Sequence, residues 1–341
     1  MTPETDSIPS RRRFDAIVVG SGSGGLTAAV GLGRFGRQVL LVEREQMGGE
    51  CTNTGCIPSK SLLHEAAAVD VGTRRSADEV LQLVRDRRDA LREHEVVEFG
   101  GAEGVTFVYG TARIEPDRSV SITHRDGTVW TASADDVILA TGSSPRRLSI
   151  PGLSGDGPGG PLLTNNELFE LTEAPKHLGI IGAGAVGVEM ALAFRRLGSE
   201  VTVVELADQV LPGVLPAAAA LLHEALTDSG VAVRLGSQVV DYDVDGGRLK
   251  TAPAGAVGSP GPADSNGGSA VVAGIDRVLM AVGRVPNTDG LGLVEAGIEL
   301  DDTGSVMVDG VDIHRLSDAK RTSHRAEWMG FIFQSFNLIP V

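Results

Sequence analysis

The chain has 341 residues, is 42% hydrophobic and carries a formal net charge of −15. That length provides for two or three domains with buried cores. The acidic balance argues against a nucleic-acid partner and against an anionic membrane surface, because both need clustered Lys and Arg, and no apolar run approaches the roughly 20 residues that span a bilayer.

Residues 1–12 read as a polar, disordered leader. Ser10-Arg11-Arg12-Arg13-Phe14 has the form of a twin-arginine export signal, but Asp15 follows and AIVVG runs directly into a glycine loop. A signal needs a longer apolar stretch and a small-residue cleavage site, so a cytoplasmic location is expected. There, a lone pair of cysteines points to redox or metal chemistry before a structural staple. Phe14–Gly20 is a short apolar strand, Gly24 to about Phe35 a helix and Gln38–Glu43 a second buried strand. This order implies a parallel pair with a right-handed crossover. Pro58 is expected to open a long helical region reaching about Glu95, and a β-rich stretch then leads to DVILATG. After a Pro/Gly-rich connector at 151–161 the opening pattern recurs: HLGIIGAG as strand and turn, residues 185–197 as helix, VTVVE as strand. Residues 252–270 are dominated by Pro, Gly, Ser and Ala and read as a flexible surface insertion. Alternation resumes in DRVLMAVG. The fold class expected is α/β, with two doubly wound dinucleotide-binding domains.

Gly20-x-Gly22-x-x-Gly25 lies between a strand and a helix. In such a turn the first glycine permits the tight bend, the second lets the backbone approach a pyrophosphate and the third lets helix and strand pack closely. The phosphates then rest on the free N–H groups of the helix start. Glu43 ends the next strand, where a carboxylate can accept ribose hydroxyls. Gly182-x-Gly184-x-x-Gly187 repeats the motif with Glu205, and in both copies the acid follows the first glycine by 23 residues (20 to 43, 182 to 205). One such motif in a glycine-rich chain is weak; two in matching context are strong. Glu205 repels a 2′-phosphate and accepts a 2′-hydroxyl, so the second site should prefer NAD(H).

Cys51 and Cys56 are five apart. On one regular helix their side chains would turn apart, and a disulfide requires Cα atoms about 4.4–6.8 Å apart. The pair can therefore close only if Thr52–Gly55 form a loop leading into a helix, with Cys56 at its start. Two ligands at this spacing without a second cysteine pair do not build a zinc site; a structural disulfide remains the alternative.

The segment GGECTNTGCIPSKSLLH resembles the redox-active segment of the flavin- and nicotinamide-dependent disulfide oxidoreductases, the lipoamide dehydrogenase/glutathione reductase/mercuric reductase family. The resemblance implies FAD and NAD(H) as cofactors. It implies that Cys56 faces the flavin and Cys51 exchanges with a small dithiol or disulfide substrate, and that Lys60 lies beside the flavin ring, paired with Glu189. His64 is expected to be a packed helix residue. Ala140-Thr141-Gly142 resembles the crossing out of the flavin domain, and Ala281-Val282-Gly283-Arg284 with Pro286-Asn287 the return crossing beside nicotinamide. Gly110-Thr111-Ala112 resembles the turn near the adenine end of FAD, and Val239 is assigned to the NAD site with Gly283. Residues 13–150 and 284–309 would form the FAD-binding domain and 151–283 the NAD-binding domain. Lipoamide dehydrogenase leads because Glu205 favours NAD. Mercuric reductase is second, since it usually needs a further cysteine pair, and glutathione reductase third, since it wants an NADP-binding arginine.

The resemblance ends near residue 309, before the family's dimerisation domain with its His–Glu pair. Residues 310–341 resemble instead a fragment of ABC-transporter ATPases, with Gln334 matching their Q-loop glutamine. No G-x-x-x-x-G-K-[ST] occurs, so ATP hydrolysis is not expected. These features are expected of a truncated, impaired chimera; an inactive remnant that only binds dinucleotide is the alternative.

Overall fold

The computed structural model describes residues 8–70, 72, 75–153, 160–255, 270–307 and 320. The first seven residues of the expected leader, most of the expected insertion and, apart from Lys320, the ATPase-like tail with Gln334 lie outside the described residues. The chain opens with β1 (Arg13–Val19), α1 (Ser23–Arg34) and β2 (Val39–Glu43), followed by the helices α2 (Gly49–Asn53), α3 (Cys56–Asp70) and α4 (Ala77–Gly100). Strands β3 (Val105–Ile114), β4 (Val120–His124), β5 (Val129–Leu139), β6 (Ser143–Pro145) and β7 (Leu162–Leu163) precede the short α5 (Asn165–Leu168). Then come β8 (His177–Ile181), α6 (Ala185–Arg196), β9 (Glu200–Val204), α7 (Pro216–Asp228), β10 (Ala232–Arg234), β11 (Ser237–Asp243), β12 (Arg248–Pro253), β13 (Ala270–Val272), β14 (Arg277–Met280) and β15 (Arg284–Pro286).

The described residues fall into two compact units, one within 1–49, 92–143 and 285–341, the other within 50–91 and 144–284. In the first, β1 pairs in parallel with both β2 and β5, and β2 with β3. β3 and β5 are long enough to serve twice: Val105–Tyr109 pair with β2 while Gly110–Ile114 turn to antiparallel β4, and Val129–Ala132 pair with β4 while Ser133–Leu139 return to β1. The sheet therefore closes as β1-β2-β3-β4-β5. All five residues of β2 are buried, as expected where a parallel strand is covered on both faces.

The second unit has a five-stranded sheet of order β10-β9-β8-β14-β7 and a three-stranded antiparallel sheet β11-β12-β13. Its larger core joins Leu62 and Ala66 of α3 and Val80 and Val84 of α4 to Ile180, Met190 and Phe194, so the helical pair carrying the cysteine segment shares one apolar interior with the second glycine turn.

The helical region differs from the sequence expectation in two ways. It starts at Cys56, as the cysteine spacing implied but two residues before Pro58, and it breaks after Asp70. Ser59 donates its N–H to the Gly55 carbonyl at 2.9 Å, so Pro58 sits in the first turn, where a missing N–H costs nothing. The second helix has its own start: Ser76 N–H donates to Glu79 Oε2 at 2.7 Å and Glu79 N–H to Ser76 Oγ at 3.2 Å, a capping box.

Candidate active site

The two glycine turns have nearly the same geometry. Gly20 and Gly182 both adopt φ +101°, and each N–H donates at 2.8 Å to the strand alongside, at Val42 and Val204. A Cβ on Gly25 would lie 1.8 Å from the Gly20 carbonyl oxygen, and one on Gly187 2.0 Å from that of Gly182; only glycine allows the helix to start so close to the strand. The middle glycines differ in kind. Gly22 and Gly184 cap α1 and α6 without a side-chain hydrogen bond, at φ −71° and −70°, a conformation open to any residue. A Cβ on Gly184 would meet no protein atom within 4 Å, and one on Gly22 only Gly49 Cα at 3.8 Å. The fold itself does not demand glycine there, whereas a phosphate lying against the helix N–H groups would.

Each turn is locked by its acid. Glu43, buried, accepts Ser21 N–H at 2.8 Å, Ser21 Oγ–H at 2.7 Å and Glu45 N–H at 2.7 Å. Glu205, equally buried, accepts Ala183 N–H at 2.6 Å and Ala207 N–H at 2.8 Å. The carboxylate is thus a structural part of each turn.

Cys51 lies in α2, half-buried, and Cys56 is the exposed first residue of α3; the two are not bonded to one another. Thr52 and Asn53 belong to α2, so the connection is shorter than the loop over Thr52–Gly55 expected from the sequence: only Thr54 and Gly55 lie between the helices. Thr54 N–H donates to the Glu50 carbonyl at 2.9 Å, and a Cβ on Gly55 would stand 2.9 Å from the same oxygen. The residue before Cys51 and the residue before Cys56 are therefore in contact, and glycine at 55 makes that approach possible. Pro58 and Ser59 of the first turn of α3 are buried, as are Thr52 and Asn53.

Lys60 Nζ and Glu189 Oε1 are 2.5 Å apart, joining α3 to α6. His64 is exposed rather than packed, because it occupies the face of α3 opposite Leu62 and Ala66. In the first unit Asn287 Nδ2 donates to the Thr141 carbonyl at 2.8 Å and Asn287 N–H to the Gly142 carbonyl at 3.0 Å, which brings the two crossing strings together. Gly142 has φ +66°. Gly283 accepts Arg146 N–H at 2.9 Å. Ala112 is a buried core residue of β3 opposite Ile122, and Val239 lies half-buried at the irregularity in β11.

A group not singled out in the sequence surrounds Glu50. Its carboxylate meets Arg284 Nη2 at 2.5 Å and accepts Asn165 Nδ2–H at 3.1 Å. Burial raises its pKa above the ordinary 4.5, against the pull of Arg284 and Asn165 toward the charged form. Asn165 and Arg284 are 115 and 234 residues away in sequence (50 to 165, 50 to 284), so no local pattern announces them. Among the described residues no cluster of His, Cys, Asp or Glu is arranged to hold a metal, and no helix is long and apolar enough to cross a membrane.

Two glycine turns of matching geometry, each with an internally hydrogen-bonded acid, and two cysteines on either side of a helix start characterise this α/β protein. The chain belongs to the pyridine nucleotide-disulphide oxidoreductase family, whose model matches residues 14–311. It is similar to dihydrolipoyl dehydrogenase 3 of Pseudomonas aeruginosa, 36% identical over 306 residues, covering 85% of this chain and 62% of the relative. The enzyme of the same name from Pseudomonas putida is 33% identical over 311 residues, covering 86% and 63%. Among solved structures, the HOCl-induced flavoprotein disulfide reductase RclA of Escherichia coli aligns with a TM-score of 0.71 at 28% identity, covering 86% of this chain and 62% of the other. The chain spans a little over three fifths of the length of these relatives.

Proposed function

We propose that this chain carries the two nucleotide sites and the thiol pair of an FAD-dependent, NAD(H)-linked dithiol/disulfide oxidoreductase of the dihydrolipoyl dehydrogenase type. Residues 13–150 and 284–309 would bind FAD and 151–283 NAD(H). The observation that carries this reading is the placing of Cys51 in α2 and Cys56 at the start of α3, with only Thr54 and Gly55 between the two helices.

The residues of the chain divide the work. The N–H groups at the starts of α1 and α6 would hold the two pyrophosphates, with Gly22 and Gly184 leaving room for them. Glu43 and Glu205 would accept ribose hydroxyls, and the negative charge of Glu205 disfavours a 2′-phosphate. Bound FAD would supply the passage of an electron pair between the nicotinamide and the thiols. Lys60, oriented by Glu189, would place a positive charge near the ring. Cys51 would attack or release the substrate sulfur by thiol–disulfide exchange while Cys56 closes or opens the internal disulfide. The substrate class is a small dithiol or disulfide such as lipoamide.

The test is reconstitution of the purified chain with FAD, followed by addition of NADH and lipoamide. A yellow protein whose flavin band bleaches with NADH and recovers with lipoamide supports the reading. Protein that stays colourless in excess FAD contradicts it.

A further inference from the structure

The Glu50 group is built from the carboxyl ends of two neighbouring strands. β7 and β14 pair in parallel, so Asn165, two residues after β7, and Arg284, four residues after β14, leave the sheet at the same end. Both reach Glu50, the residue before Cys51. Asn165 reaches further: its Nδ2 also donates to the Thr54 carbonyl at 2.9 Å and lies 3.4 Å from Thr54 Oγ1. Asn165, only 8% exposed as a residue, thus spans both ends of the cysteine segment, the residue before the first thiol and the residue two before the second.

The base of this arrangement is held by hydrogen bonds. Thr164, preceding Asn165, caps α5: its Oγ1 accepts Asn166 N–H at 3.2 Å, and Glu167 Oε2 accepts Thr164 N–H at 2.7 Å. Arg147 pairs with Glu167 at 2.9 Å. A buried donor on a capped turn, aimed at a carboxylate and a carbonyl, costs free energy if its acceptors move away.

Resting on the reading of Cys51 and Cys56 as an exchanging pair, we propose that Asn165 is a positioning residue for the thiols: by tying Glu50 to Thr54 it fixes the chain on which Cys51 and Cys56 sit, with Arg284 as the counter-charge that holds Glu50 in place. The chemical consequence is a higher effective concentration of one thiol at the other, hence a more stable internal disulfide.

The test equilibrates the full chain with mixtures of reduced and oxidised glutathione. One oxidised glutathione accepts two electrons and the two thiol protons, its S–S bond breaks to two glutathione thiols, and the Cys51–Cys56 bond forms. The oxidised fraction is read by acid quench and maleimide mass-tagging. Asn165→Ala should lower the equilibrium constant for disulfide formation about tenfold, equivalent to about 30 mV. Asn165→Asp should lower it further, because a carboxylate then faces Glu50 and the Thr54 carbonyl, and adding Glu50→Gln should bring it back toward the wild-type value by restoring a donor–acceptor pair. A purely structural role would lower the thermal midpoint of these variants while leaving the glutathione equilibrium unmoved; that result, or a disulfide made more stable by Asn165→Ala, overturns the proposal. If Asn165→Ala does not fold, the Asp and Asp/Gln pair decides by presence or absence of rescue. A wild-type chain that never forms the Cys51–Cys56 bond overturns the redox reading itself, and the proposal with it.

Discussion

Lys60 of α3 and Glu189 of α6 meet at 2.5 Å, an ion pair linking the helix that Cys56 opens to the helix that follows the second glycine turn. The pair is open to water on the lysine side, whose side chain is 61% exposed. Exposed pairs of this kind contribute about 0–1 kcal/mol to stability, so little of the fold's stability rests on it.

Lys60→Ala should therefore shift the thermal midpoint little while slowing reduction of bound flavin by NADH about 100-fold, the scale expected when one preorganised charge is removed from a developing negative charge. Stopped-flow absorbance at the flavin band checks this. An unchanged rate would remove Lys60 from the site.

The two kinds of glycine in the second turn should respond in opposite ways. Gly187→Ala places a Cβ 2.0 Å from a backbone oxygen, and overpacking of that sort costs about 1–3 kcal/mol or more. Gly184→Ala adds a methyl that meets nothing in the protein and should cost only about 0.5–1 kcal/mol at a helix N-cap. Its effect should appear instead in NADH affinity, weakened about tenfold or more by the blocked approach of the pyrophosphate. Calorimetric melting and NADH titration separate the two.

Glu205→Ala should do two things at once. It leaves the Ala183 and Ala207 N–H groups without their present acceptor, each at about 1–3 kcal/mol if water does not replace it. It also removes the charge that repels a 2′-phosphate, so the preference for NADH over NADPH should shrink. Unchanged selectivity in ligand titrations would take the cofactor assignment away from Glu205.

Acid should loosen the turn that carries Asn165. Burial opposes the charge on Glu167, but hydrogen bonds from Thr164 and the nearby Arg147 outweigh it and hold the pKa below its ordinary 4.5. A depressed carboxylate contributes stability in full above its unfolded value, and that contribution is lost as pH falls through the folded value. The stability gap between wild type and Glu167→Gln should then be constant near neutrality and narrow from about pH 4.5 downward, as read by denaturant melts across that range.

Much of this architecture is readable in order of residues. β1-α1-β2 and β8-α6-β9 announce themselves because glycine spacing and buried apolar runs are local properties, and so is the placement of Glu43 and Glu205. The double use of β3 and β5 is not, since which half of a long strand pairs with which neighbour depends on the closure of the whole sheet. Pro58 signals a helix start correctly in kind but not in position, because proline fits anywhere in a first turn. His64 looks like a packed residue until α3 is oriented by Leu62 and Ala66. The links among Glu50, Asn165 and Arg284 depend on two strands ending side by side, a feature of topology that no short motif encodes.

The proposed chemistry requires Cys51 and Cys56 to form a two-electron store beside a flavin. Anaerobic titration of the FAD-loaded chain with dithionite tests it most directly. The wild-type chain should take up one more electron pair per flavin than Cys56→Ser, with flavin content equal in both. Equal uptake by the two proteins would contradict it.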